Sequence, residues 1–269
     1  MSNIPASVKK RLIATVPKFR KVLQAAKERD INESDTVAIV TDMLAEIFGF
    51  DKYSEITREF AIQGTYCDLA VKTGKGIEYL LEVKAIGLEL NEKHLKQAVN
   101  YAAREGVKWV ILTNGIEWEI HRVTLDEKVV SERLVVLDLT EINPRSKDQQ
   151  NMLFLLCKRG VKKDLISEFY EYKQSVNRYT IGALLLTDAV ANLVRKELRK
   201  FKPGIKVDAD EVKFIIQNET IKREVLESDL AVEANKQLAR FQKKQQRAKN
   251  KTAPQPADTT DNGTDLTPY

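Results

Sequence analysis

Apolar residues recur at helical spacing over 8–27 and again at Val37, Val40, Met43, Leu44, Ile47 and Phe48. The first stretch predicts a basic leading helix broken at Pro17, with no acid before Glu28. The second predicts a helix opened by a capping box at Asn32-Glu33-Ser34-Asp35 and stopped by Gly49. The period then changes to two. Tyr66-Cys67-Asp68-Leu69-Ala70-Val71-Lys72 alternates and ends in Thr73-Gly74-Lys75-Gly76, and 77–84 reads as a second strand. Four Gly-rich residues between two strands make a hairpin. With its turn centred near Lys75, partners have numbers summing to about 150 and lie roughly 5 Å apart at Cβ, which sets Asp68 opposite Glu82.

Helical spacing returns after Asn91 at Leu95, Ala98, Val99 and Ala102. The run 107–113 suits a strand buried on both faces, and after Asn114-Gly115 the segment 116–121 alternates. From about 149 only helical patterns follow: 151–159, 163–174, a long amphipathic stretch over 180–201 ended by Pro203-Gly204, a capped helix from Asp208 through Gln217, and a polar helix from Ile221 to about Arg247. The expected class is α/β, a mixed sheet flanked by helices, followed by an all-α C-terminal domain. The expected domains are 1–145, 146–250 and a disordered tail at 251–269.

The hairpin gathers chemistry. Lys84 lies two residues beyond Glu82 and shares its face, so Asp68, Glu82 and Lys84 form one cluster. Opposed carboxylates destabilise a sheet unless something compensates, and a cation does so. Two carboxylates, the Val83 carbonyl and waters suit Mg²⁺, with Mn²⁺ as a substitute. Such a metal activates water and neutralises phosphate charge, and Lys84 adds a fixed positive charge. The same charges also suit a solvated strand face with Lys84 bridging the acids, and spacing alone leaves both open.

On the following helix, Gln97 and Tyr101 stand at i and i+4. Asp68, then Glu82-Val83-Lys84, then Gln97-Ala98-Val99-Asn100-Tyr101 together resemble the PD-(D/E)XK nuclease superfamily over roughly 32–123, with the N-terminal nuclease domain of type I restriction enzyme R subunits and its stand-alone relatives as the nearest likeness. The resemblance implies a restriction-endonuclease-like fold. It implies metal binding by Asp68, Glu82 and Val83, catalysis supported by Lys84, and Gln97 and Tyr101 lining the cleft to orient reacting groups. It also implies an acid on the first helix, best matched by Glu33, with Glu46 and Asp42 as weaker candidates. Cys67 stands where the family's short name has Pro.

Composition narrows the alternatives. Only two histidines, His94 and His121, argue against a His-based nucleophile or a multi-histidine zinc site. Cys67 and Cys157 lie 90 residues apart in apolar patterns and suggest no disulfide framework. No apolar run approaches the roughly 18 residues that span a membrane. No G-x-x-x-x-G-K-[ST] motif points to a nucleotide cofactor. Trp109 and Trp118 read as packing residues.

The formal net charge is +5, unevenly spread: seven Lys or Arg and no acid stand between Lys236 and Lys251, whereas 252–269 holds three Asp and no basic residue. Lys236, Arg240, Lys243, Lys244 and Arg247 are the candidate phosphate-binding residues. The expected protein is a cytoplasmic Mg²⁺-dependent DNA endonuclease, restriction-like or serving phage defence. A homodimer would present two sites to the two strands of duplex DNA. The rivals are a silent nucleic-acid-binding or assembly module with the same fold, and a repair or RNA-processing nuclease.

Overall fold

The computed structural model describes residues 3–62, 65–74, 76–125 and 128–251. The turn centre Lys75 and the tail 252–269 lie outside them. Packing divides the chain into two compact units, Met1–Glu171 and Tyr172–Tyr269.

The first unit is built on a six-stranded sheet in chain order: β1 (Ile56–Ile62), β2 (Thr65–Thr73), β3 (Gly76–Val83), β4 (Trp109–Thr113), β5 (Glu117–Leu125) and β6 (Val129–Asp138). Every neighbouring pair is antiparallel except β3 and β4, which are parallel. Parallel neighbours need a crossover, and α3 (Glu92–Glu105) supplies it. Asn91 caps that helix by accepting from the Lys93 N–H, and Gly106, at φ 68°, ends it in the left-handed conformation that glycine adopts freely.

Each face of the sheet has its own core. On one, Leu69, Leu81, Ile111, Trp118 and Ile120 pack against α1 (Ala6–Glu28) and α2 (Glu33–Glu46) through residues such as Leu12, Leu23, Val40 and Leu44. On the other, Ala70, Leu80, Val110 and Leu112 meet Leu95, Ala98 and Ala102 of α3. Burial on both faces explains why 109–113 reads as an unbroken apolar run. Trp118 is fully buried with its indole N–H donating to the Gly115 carbonyl at 2.9 Å, and Trp109 is packed edge-on to Tyr170.

Three expectations need correction. Pro17 does not break α1, which continues through it. Pro17 is exposed, so the carbonyl it leaves unpaired stays near solvent, while Leu12, Val16, Phe19 and Leu23 bury on both sides. The sheet-bearing unit also runs past 145. The helices α4 (Lys147–Leu156), α5 (Lys158–Val161) and α6 (Leu165–Ser175) contribute Leu153, Phe154, Leu165 and Phe169 to the core under the sheet. The stretch 180–201 is not one helix. It forms α7 (Arg178–Leu185) and α8 (Asp188–Phe201), because Thr187 turns out of helical geometry and its side chain caps the Val190 N–H.

The second unit continues with α9 (Ala209–Ile215), capped by Asp208 and followed by a π-helical turn over Ile216–Thr220, then α10 (Arg223–Glu227) and α11 (Asp229–Lys251). Its fully buried apolar residues are small: Ala183, Ala191, Val212, Ala231 and Ala234 among the described residues. At Gly182 an added Cβ would come within 3.0 Å of Val225.

Candidate active site

The hairpin register fixes the site. Leu69 pairs with Leu81, Ala70 with Leu80 and Val71 with Tyr79, each pair summing to 150, before an irregularity at Val71/Lys72 shifts the remainder by one. One further step along the regular part sets Asp68 across from Glu82. The Asp68 carboxylate reaches over the ladder and accepts the Val83 N–H at 2.6 Å. Glu82 is only 8% exposed, and its carboxylate takes the Lys84 ammonium at 2.7 Å. Lys84 also meets Glu33 at 3.3 Å, so the first turn of α2 joins the two strands in one cluster.

Glu33 is positioned by its helix start. Asn32 leaves helical geometry and its side chain accepts the Asp35 N–H at 2.9 Å, which sets Glu33 at the first helical position, turned toward Lys84. The structure therefore brings together Asp68, Glu82, Lys84 and Glu33. Of the weaker candidates, Glu46 pairs with Lys18 and Asp42 with Lys52, both away from this cluster.

The electrostatics show strain between like charges. Burial, then the nearby Asp68 charge, raises the Glu82 carboxyl to about 7. Burial raises Asp68 as well, against the opposing pull of the Val83 N–H and Lys84. Burial alone would lower the Lys84 ammonium, but its hydrogen bond to Glu82 and the surrounding acids hold it above its ordinary value. One ammonium faces three carboxylates.

A hard divalent cation would offset this excess of carboxylate charge, of which Glu82 is buried and Asp68 half-buried. Asp68, Glu82 and the Val83 carbonyl are the residues that would hold it. Among the described residues no group of three or more His, Cys, Asp or Glu side chains is arranged to hold a metal ion. Mg²⁺ does not require one, because it keeps several waters and binds through one or two carboxylates.

Tyr101 is anchored through its hydroxyl. It is 3% exposed, its ring lies edge-on to Phe60 and its hydroxyl donates to the Phe60 carbonyl at 2.9 Å, which ties α3 to β1. Gln97, one turn earlier, is exposed on α3. Lys236, Arg240, Lys243 and Lys244 are exposed along α11, and the side chain of Arg247 lies outside the described residues.

Two residues beside the cluster had no sequence signal. Arg58 and Glu59 of β1 border a cleft of about 100 Å³ together with Glu33, Ser34, Val37 and Asp68. Their place depends on the β1–β2 register and on a left-handed φ of 45° at Glu59, neither of which a pattern of polar and apolar letters carries.

A mixed sheet flanked by helices, with acids and a lysine gathered on a central hairpin, defines a restriction-endonuclease-like α/β class. Residues 40–135 match the family described as type I restriction enzyme R protein N terminus. That segment carries the hairpin and α3, and the chain thereby resembles the N-terminal nuclease domain of type I R subunits; Glu33 precedes it. No curated protein and no solved structure matches the chain. No helix among the described residues is long and apolar enough to cross a membrane.

Proposed function

We propose that this protein is a Mg²⁺-dependent DNA endonuclease, with Mn²⁺ able to substitute, in a restriction-like or phage-defence role in the cytoplasm. The observation that carries the reading is the half-buried Asp68 and the buried Glu82 gathered with Lys84 at one hairpin. Mg²⁺ bound there would neutralise charge on the phosphate and make a bound water more acidic. The chain's own residues do the rest. The Val83 N–H fixes the Asp68 carboxylate, and Glu82 and Glu33 hold the Lys84 ammonium from two directions. Lys84 Nζ would then donate to a phosphate oxygen or orient the attacking water.

DNA as substrate is supported by the family match and by charge. Positions 172–251 hold 18 Lys or Arg against 10 Asp or Glu. The exposed basic residues of α11 suit phosphate binding, which brings salt dependence with it. Homodimerisation is supported by the helical unit's small buried core beside exposed Leu193, Phe201, Phe214, Leu230 and Phe241.

Calorimetric titration with Mn²⁺ tests the metal site. The expected result is one saturable site weakened in Asp68→Ala and Glu82→Gln by more than the roughly 10–100-fold that outer partners of a ligand contribute. An unchanged affinity in both folded variants, or no binding by the wild type, would favour the silent module.

A further inference from the structure

We infer that Arg58 is the substrate-positioning residue of this site, gripping a non-bridging oxygen of a nucleic-acid phosphate next to Asp68. The inference rests on the nuclease reading above and adds a residue to it. β1 pairs with β2 through Arg58 and Leu69 and again through Phe60 and Cys67, which puts Glu59 across from Asp68. Glu59 is the one strand residue with a left-handed φ among the described non-glycine residues. Such a conformation persists where surrounding structure enforces it. Here the result is that consecutive residues, Arg58 and Glu59, both border the cleft that contains Asp68 and the start of α2.

The cleft's charge explains what Arg58 is for. Its rim carries Glu33, Glu59 and Asp68. Lys84 is engaged on two sides by Glu82 and Glu33. The Arg58 side chain, by contrast, is exposed and makes no hydrogen bond or ion pair among the described residues. A phosphodiester approaching three carboxylates is repelled at short range, even when a divalent ion offsets part of that charge. A guanidinium offers paired in-plane donors that match two phosphate oxygens, and its charge is permanent. The cleft, about 100 Å³ and open to solvent, has room for a phosphate group beside Arg58. Phosphate contacts fix register without reading sequence, so Arg58 would set the position of the scissile bond and leave specificity to other residues.

The test compares wild type, Arg58→Ala and Arg58→Lys in three measurements: steady-state cleavage of plasmid DNA with Mg²⁺, anisotropy of a fluorescent duplex titrated with each protein in Ca²⁺, and urea unfolding. Arg58→Ala is expected to raise KM and weaken duplex affinity by about tenfold, the lower end for a hydrogen bond to a charged group. Arg58→Lys should recover part of both, and the unfolding midpoints should coincide. Wild-type KM and affinity in an Arg58→Ala enzyme that cuts DNA would overturn the inference alone. A loss of affinity that tracks a lowered unfolding midpoint and is not rescued by Lys would overturn it in favour of a structural role on the edge strand. A wild type that neither cuts nor binds duplex would overturn the nuclease reading, and this inference with it.

Discussion

The sheet-bearing unit and the helical unit solve different problems with the same alphabet. Up to position 171 the chain carries equal numbers of basic and acidic residues, 26 each, and buries large side chains on both faces of its sheet. From 172 to 251 basic residues exceed acidic ones, the buried side chains among the described residues are four alanines and a valine, and residues such as Leu193, Phe201 and Phe214 face solvent. The first unit sets its charged cluster on a sheet packed on both faces. The second combines an excess of basic charge with exposed apolar side chains, the two features that the proposed DNA binding and homodimerisation would use.

The largest test of this contrast is a cavity in the first unit. Leu81→Ala removes a fully buried side chain beneath the hairpin and should cost about 2–5 kcal/mol in urea unfolding. Leu193→Ala on exposed α8 should stay within about 0.5 kcal/mol at concentrations where the chain is monomeric. Equal losses would erase the distinction.

A second effect concerns charge. Replacing Lys236, Arg240, Lys243 and Lys244 by Gln should weaken duplex binding uniformly across sequences. It should also flatten the dependence of log affinity on log salt by about 0.9 for each phosphate that the protein no longer neutralises. An unchanged salt slope would move the DNA-binding surface off α11.

Smaller still is a backbone effect at the cleft. Glu59→Gly relieves the left-handed strain but loosens the unfolded chain, so it should change stability by no more than about 1 kcal/mol in either direction. A loss well beyond that in urea unfolding would show that the Glu59 side chain itself holds β1.

The smallest is a pH effect away from the candidate site. Burial holds the His121 imidazole below its ordinary 6.5, despite its hydrogen bond to Glu119. In that window the unfolded chain binds more protons than the folded one, so the contribution is complete above about pH 6.5 and is lost as pH falls toward the folded value. Urea midpoints of His121→Gln should therefore fall less between about pH 7 and about pH 5 than those of the wild type.

Much of this architecture is written in local pattern. The hairpin itself is legible from its Gly-rich turn, but the pairs beside the turn sum to 149, and it is the irregularity at Val71/Lys72, which no letter pattern shows, that brings the register to 150 and sets Asp68 across from Glu82. Glu33 is legible because a capping box marks where α2 starts. The anchoring of Tyr101 is not legible, since its position at i+4 from Gln97 says nothing of the Phe60 carbonyl that its hydroxyl meets across 41 residues. The break between α7 and α8 hides because Thr187 serves as a cap without disturbing the amphipathic spacing on either side. Arg58 and Glu59 depend on strand pairing and a backbone angle, which only tertiary structure sets.

The central claim, that Asp68, Glu82 and Lys84 form a metal-dependent phosphodiesterase site, is tested most directly by cleavage of plasmid and linear DNA with Mg²⁺ or Mn²⁺. Wild type, Asp68→Ala and Lys84→Ala should be compared after matching their unfolding midpoints. The account predicts cutting by the wild type that stops when the metal is chelated and is abolished in both variants. Cutting that survives Asp68→Ala and Lys84→Ala, or no cutting of modified or unmodified DNA or of RNA by a wild type that still binds nucleic acid, would contradict it.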